Sequence, residues 1–357
     1  MDINERIELI KDFAEEIVNE AELRELFVSG KKIIAYDGFE PSGVAPIHFG
    51  LLRATNLKNM IKAGIKFKLY LADYFGFINN KLDGDLKNIQ TAGKYFIEVW
   101  KACGIDMDKV EIVWASKLMD GISYWDRVLR VARETTFNRT KRALTIAGRK
   151  STEEISTAQL FYPSMQVADI FQMDVDICQL GMDQRRANML ARDIAEKLKW
   201  KKPVAVHHHI LLGLQGIQKR KDPEETLIAS KMSKSDPRSC IYMHDSLNDL
   251  KKKLNKAYCL AGEIEGNPIL EYFKYIIFKN VNFVEIKRSD KFGGNIKYNS
   301  YKEMESDFAN KKLHPLDLKS SCAIELDKLI KPVREHFEKD KRAKKLYSIV
   351  KNMKITR

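Results

Sequence analysis

A chain of 357 residues is long enough for two domains and at least one sizeable core. With 44% hydrophobic and 31% charged residues it has the composition of an ordinary folded protein, and no run of roughly 18 uninterrupted apolar residues offers a membrane span. Its formal net charge of +13 favours a polyanionic partner, nucleic acid first, through steering and non-specific attraction.

Met1 to Arg6 open a charged, amphipathic pattern rather than a signal peptide, so the protein is expected to be soluble, unexported and cytoplasmic. Cys103, Cys178, Cys240, Cys259 and Cys322 lie far apart with no Cys-x-x-Cys pair. That argues against a disulfide framework and a thiolate zinc site, and leaves reduced, mostly buried thiols. The basic excess concentrates late, since residues 311–357 hold 14 Lys and Arg against 6 Asp and Glu.

Ile3, Ile7, Ile10, Phe13, Ile17 and Val18 recur at three- and four-residue spacing, which predicts an amphipathic helix over 3–27. Lys32 to Asp37 read as a strand running into the turn Gly38-Phe39-Glu40-Pro41-Ser42-Gly43. A helix then starts near Pro46, which suits a first turn, and carries Ile47-His48-Phe49-Gly50-Leu51. A strand, a glycine-bearing loop and a helix N-terminus make an anion site, because free N–H groups and the helix dipole point at its occupant. His48 could donate to phosphate there and Gly50 could let a flat ring or a backbone come close; a surface histidine on an ordinary helix is the other reading.

Lys66–Asp73 and Val110–Ala115 read as further strands around a helix over 84–104. Strands alternating with long helices imply parallel crossovers and a doubly wound α/β sheet, with ligands beyond the carboxyl ends of its strands. Residues 121–150 read as helical and basic, with Arg127, Arg130, Arg133, Arg139, Lys141, Arg142, Arg149 and Lys150 either on a solvated face or on phosphates. From Ser156 to Phe171 a helix interrupted by Pro163 places Tyr162, Gln166 and Asp169 on one face. A phenol, an amide and a carboxylate together are poor core and good small-molecule recognition.

Val175–Leu180 read as a strand, and Gly181 to Arg186 open the next helix. Asp183 and Gln184 at that corner suit ribose hydroxyls and a substrate ammonium. His207, His208 and His209 lie within the apolar stretch 204–212, where adjacent side chains on a strand diverge and do not suit a metal. Lys231-Met232-Ser233-Lys234-Ser235 sets two ammonium groups and two hydroxyls in a compact loop suited to polyphosphate, the plainer reading being a solvated basic loop. After Asp236 the chain becomes lysine-rich and helical, with a glycine turn at 291–295 and a helix start at 313–317. The domain boundary is expected near 245.

In order along the chain, Tyr36 to Gly43, Tyr162 to Asp169, Gly181 to Arg185, Lys231 to Ser235 and His314 to Lys319 resemble the class I aminoacyl-tRNA synthetases. More closely they resemble the tyrosyl-tRNA synthetases of archaeal and eukaryotic type, over nearly the whole chain. The resemblance implies a Rossmann-type catalytic domain over 1–245 with a helical insertion at about 75–150, followed by a smaller α-helical anticodon-binding domain over 246–357. It implies activation of L-tyrosine by ATP, with Mg²⁺, to tyrosyl-adenylate and pyrophosphate, then transfer to the 3′ end of tRNA(Tyr), by a homodimer joined through the insertion.

By the same resemblance, Tyr36 and Asp169 bond the substrate phenol, and Tyr162, Gln166 and Gln184 surround its ammonium. ATP falls to Gly38, His48, Gly50, Gly181, Asp183, Lys231, Ser233 and Lys234, of which His48, Lys231 and Lys234 are catalytic. Arg142 and Arg186 meet the acceptor end of the tRNA, and Phe292, His314 and Asp317 the first anticodon base, although His314 and Asp317 also suit a helix cap. One departure is visible: the family usually places its first histidine three residues after Glu-Pro-Ser-Gly, whereas Val44 to Ile47 precede His48 here. This reads as a two-residue insertion; the other register puts Pro46 at the catalytic position. Tryptophanyl-tRNA synthetase shares the architecture, but the Tyr36 and Asp169 pair argues against it. A catalytically silent paralogue that binds tRNA is opposed by the intact lysine loop.

Overall fold

The computed structural model describes residues 1–144, 155–220, 226, 229–232 and 237–356, with the side chains of Pro237 and Phe292 excepted. Six strands form one sheet: β1 (Ala14–Ile17), β2 (Ile34–Phe39), β3 (Lys66–Leu71), β4 (Val110–Trp114), β5 (Ile177–Gly181) and β6 (Val204–His208), in the order β1-β6-β5-β2-β3-β4. β6, β5, β2, β3 and β4 pair in parallel, and β1 is an antiparallel edge strand on β6. The doubly wound sheet expected from the sequence is therefore present, with one antiparallel strand added. Strand order reverses between β2 and β5, which places a crevice at their carboxyl ends.

The N-terminal stretch differs from the single helix expected over 3–27. Asp2 and Glu5 form a capping box on the helix Ile3–Lys11, β1 follows, and Asn19 caps a second helix, Glu20–Val28. Apolar positions that fit a helical period also fit a short strand, and pairing with β6 decides between them. Glu16 fixes the choice by accepting from Arg185 Nε at 2.8 Å and meeting His207 Nδ1 at 2.7 Å.

Alternation along β3 sends Phe67, Leu69 and Leu71 into one core, with Phe49 and Trp100, and Tyr70 into the other, with Tyr36, Tyr124 and Ile170. The first core continues into Leu318, Leu326 and Phe337, so the helices after residue 246 share it with the sheet. Those helices, Leu247–Asn255, Pro315–Lys339 and Lys341–Lys351 among them, are joined by an antiparallel ladder of β7 (Val284–Ile286) on β8 (Ile296–Tyr298), an addition to the purely helical unit expected. All five cysteines are buried, and none is in a disulfide.

The three histidines diverge as expected: His207 towards Glu16, His208 towards Gln179, and His209 between Glu15 and Glu271. His209 lies 2.9 Å from Glu15 and 3.1 Å from Glu271, joining the region beside the sheet to the later helices. Burial opposes its protonation, but the two carboxylates outweigh burial and lift its pKa to about 9. A pKa raised on folding gives stability that is complete below about 6.5 and lost as pH rises through about 9. Urea unfolding should show the protein losing roughly 2–3 kcal/mol across that window relative to His209→Gln. Parallel pH profiles for the two proteins would remove His209 from this role.

Candidate active site

The crevice between β2 and β5 gathers three sets of groups. At its deep end Tyr36 (β2), Tyr70 (β3), Tyr124 (helix Ile122–Arg133) and Asp169 (helix Thr157–Gln172) meet, all buried. Ser156 and Gln159 cap the helix that carries Asp169, which runs unbroken through Pro163 rather than being interrupted there. Tyr124 donates to Asp169 Oδ1 at 2.9 Å. Asp169 Oδ2 and the hydroxyls of Tyr36 and Tyr70 are buried without a hydrogen-bond partner among the described residues. Burial pushes the Asp169 carboxyl well above its ordinary range, against the pull of Tyr70 and Tyr124, and burial likewise raises the Tyr36 phenol. Unsatisfied buried polar atoms cost roughly 1–3 kcal/mol each, so a cluster of them marks a place where a polar ligand completes the set.

One helical turn away, Gln166 Nε2 donates to Gln184 Oε1 at 3.0 Å, and Gln166 Oε1 is buried without a partner among the described residues. Tyr162 donates to Glu40 Oε1 at 2.6 Å, and Asn79 Nδ2 donates to the same oxygen at 2.7 Å. This middle section presents acceptors suited to an ammonium. Burial raises the Tyr162 phenol, and Glu40 raises it further.

The outer section is cationic. Lys231 Nζ lies 3.1 Å from Asp183 Oδ2, and Arg53 pairs with Asp37. Burial opposes ionisation of Asp183, but Lys231, Arg53 and His48 together outweigh it and hold the carboxyl below its usual range. At Asp37 burial prevails over Arg53 and pushes the carboxyl up to about 6. His208 Nδ1 meets Gln179 Nε2 at 2.7 Å on the same side of the sheet ends, and His48 and Arg53 act on its charge. Ser233 and Lys234, expected here, lie outside the described residues, as do Arg149 and Lys150.

His48 does not open an ordinary α-helix. Pro46 bridges Tyr242 just before the helix, and His48–Leu52 form a π-turn that continues as the α-helix Arg53–Lys62. The segment ahead of that turn is stitched down: Ile47 N donates to Ile241 O at 2.8 Å and Met243 N to Ala45 O at 2.9 Å.

The described arrangement offers a buried hydrogen-bonding end, amide and carboxylate acceptors along the same helix, and cations around Asp183. The family model for class I tRNA synthetases (W and Y) matches residues 29–331. Tyrosine–tRNA ligase of Thermococcus kodakarensis is 44% identical over 379 residues, covering 100% of both chains. The chain belongs to the tyrosyl-tRNA synthetase family.

Cytoplasmic tyrosine–tRNA ligase 1 of Arabidopsis thaliana is 42% identical over 359 residues, covering 100% of this chain and 90% of that protein. Tyrosyl-tRNA synthetase of Pyrococcus horikoshii, solved with L-tyrosine, is 41% identical with a TM-score of 0.90, covering 98% of this chain and all of that one. Tryptophanyl-tRNA synthetase of Aeropyrum pernix, at 17% identity and a TM-score of 0.66 over 94% of this chain and 85% of that one, shares the fold alone.

Against this synthetase frame, the glycines assigned to ATP also have packing reasons. A Cβ on Gly50 would fall 2.4 Å from Met243 Sδ, on Gly38 3.3 Å from Tyr70 Cδ1, and on Gly181 2.4 Å from Ile210 Cδ1. The two arginines expected at the acceptor end come together, Arg186 donating to the Arg142 carbonyl at 2.8 Å. His314 caps the helix Pro315–Lys339, its Nδ1 accepting from Leu316 N at 3.2 Å, and Asp317 lies in the first turn of that helix. Phe292 ends the turn Asp290–Phe292, which Arg288 ties to the His314 region by donating to Gly294 O and Lys312 O.

Sequence reasoning did not assign Glu40, Arg53, Tyr70 or Tyr124 to the site. Glu40 lies inside the turn Gly38 to Gly43, and Arg53 lies five residues after His48 on the same helical run. Tyr124 and Tyr70 carried no local signal, because what they face belongs to other elements.

Proposed function

We propose that tyrosine enters phenol-first, its hydroxyl completing the unfilled hydrogen bonds of Tyr36 and Asp169, and its ammonium resting on Tyr162, Gln166 and Gln184. Asp183 exchanges Lys231 for the ATP ribose, and the released Lys231 joins Lys234 and Ser233 on the β- and γ-phosphates. Gly38, Gly50, Gly181 and His48 line the nucleotide side. The tyrosine carboxylate attacks the α-phosphorus in line, the bond to the bridging oxygen of pyrophosphate breaks, and tyrosyl-adenylate remains. A ribose hydroxyl at the tRNA 3′ end then attacks the acyl carbon and AMP leaves. Mg²⁺ comes with ATP as its counter-ion.

Two observations support His48 over Pro46 as the catalytic position. His48 lies within electrostatic reach of Asp183 and His208, whereas Pro46 is held in a bridge to Tyr242. Residues 1–245 carry the chemistry, and 246–357 present Phe292, the exposed ring of His314, and Asp317 to the anticodon, an aromatic face and polar groups for an unpaired base. Arg142 and Arg186 receive the acceptor end.

The helix Ile122–Arg133 buries Tyr124, Val128 and Val131 and exposes Ile122, Trp125 and Leu129 on another face, Ile122 at 86% exposure. That stripe, with Tyr74 and Phe77 also exposed, supports a two-fold dimer through the 75–150 insertion. Trp125→Asp with Leu129→Asp should convert a sedimenting dimer to monomer; a wild-type monomer at micromolar concentration would contradict the dimer.

The observation that carries the functional reading is the buried Asp169 Oδ2 and Tyr36 hydroxyl, without a hydrogen-bond partner among the described residues. Charging of tRNA(Tyr) transcripts with labelled tyrosine tests it, with loss expected when the first anticodon base is altered. Charging that ignores that base would detach Phe292, His314 and Asp317 from recognition.

A further inference from the structure

The deep end of the pocket contains two phenols more than substrate binding by Tyr36 and Asp169 requires: Tyr124, which donates to Asp169 Oδ1, and Tyr70. β3 sets Tyr70 in register with Gly38 of β2 and Val113 of β4, on the face of the sheet that carries Tyr36. Its ring lies where a Gly38 side chain would have to go, and it stands edge-on to Tyr36 with centroids 6.5 Å apart at 74°. Phe75 stands edge-on to Tyr70 at 6.3 Å, and Tyr162 edge-on to Phe75 at 4.6 Å. The rings thus form a continuous wall from the ammonium end of the pocket to its floor.

Tyr70 is 3% exposed, and its hydroxyl reaches Asp169 without completing a hydrogen bond there. Asp169 is faced by phenols from three elements: Tyr36 from β2, Tyr70 from β3 and Tyr124 from the helix Ile122–Arg133. Among the described residues only the Tyr124 bond is complete. A leucine or phenylalanine would fill the same volume with no stranded hydroxyl, so the Tyr70 hydroxyl is destabilising until a ligand rearranges the carboxylate.

We propose that Tyr70 is a positioning residue for tyrosine selection, acting through Asp169: when the substrate phenol arrives, the Tyr70 hydroxyl turns onto the carboxylate beside that of Tyr124 and holds it to receive that phenol. The inference rests on Asp169 and Tyr36 being the phenol site. Loss of the Tyr70 donor also removes one of the two groups that favour ionised Asp169, so the carboxylate takes a proton more readily.

Amino-acid-dependent ATP–pyrophosphate exchange on the full chain tests this with Tyr70→Phe, which keeps the ring, and Tyr70→Leu, which does not. Tyr70→Phe is expected to raise the KM for tyrosine about tenfold, with kcat within about twofold and the KM for ATP unchanged. Its preference for tyrosine over phenylalanine should fall about tenfold, and the acid limb of kcat/KM for tyrosine should move to higher pH. Wild-type behaviour in Tyr70→Phe with impairment only in Tyr70→Leu would overturn the proposal in favour of plain packing by the ring. A lowered Tm with parallel losses in kcat and in both KM values would overturn it as well. A wild-type chain without tyrosine-dependent exchange would overturn the phenol-site reading itself, and the proposal with it.

Discussion

Replacing Asp169 with Asn should lower the preference for tyrosine over phenylalanine by about a hundredfold or more, almost entirely through tyrosine. Asn has the same volume and still offers an oxygen to Tyr124, so the pocket keeps its shape. The charged acceptor disappears, and an amide donor takes the place of Oδ2, the oxygen buried without a partner. A hydrogen bond to a charged group is worth roughly 1.5–3 kcal/mol, which sets that scale. Phenylalanine never uses this oxygen, so its own exchange rate should stay within about threefold of wild type. Steady-state exchange with each amino acid at saturating ATP measures both. Equal losses for tyrosine and phenylalanine would mean that the substitution damaged the pocket rather than the recognition.

His48→Ala should slow adenylate formation by roughly 10²–10³-fold while changing the dissociation constant for tyrosine by less than about twofold. The imidazole sits with Lys231 and Arg53 around Asp183 at the outer section, away from the phenol end, so its contribution belongs to phosphate charge that develops in the transition state. Pro46→Ala is the companion variant and should leave both quantities near wild type, because Pro46 packs in the bridge to Tyr242. Rapid quench of adenylate, with equilibrium dialysis of tyrosine, separates the two steps. A Pro46→Ala defect larger than that of His48→Ala would show that the other register of the insertion is the working one.

Much of the sheet and of the pocket was legible because their signals are local. Apolar runs of strand length alternate with long helices, and the helical spacing of Tyr162, Gln166 and Asp169 puts all of them on one face. What was not legible depends on pairing across the chain. Ala14–Ile17 became a strand because β6 offered an open edge and Glu16 found His207 and Arg185, none of which a window over 3–27 contains. β7 and β8 are three residues each and carry no period of their own.

The same limit applies inside the site. Tyr124 lies in a stretch whose arginines suggested a solvated or phosphate-facing helix, and only the fold shows that its buried face points the phenol at Asp169. Tyr70 alternates correctly for β3, but alternation says which face a residue takes and not what stands opposite. Gly50 was read as room for a flat ring or a backbone, whereas the neighbour that fills the space is the Met243 thioether. His314 serves as a helix cap in the structure, a role that its place before Pro315 already allowed.

The most direct test of the whole account is ATP–pyrophosphate exchange by the purified full-length chain with tyrosine, phenylalanine and tryptophan offered separately. Exchange that depends on tyrosine, with phenylalanine disfavoured by roughly 10⁴-fold or more and tryptophan inactive, is the result that a phenol-binding Tyr36 and Asp169 predict. Exchange driven equally by phenylalanine, or by tryptophan, or absent with all three, would contradict it.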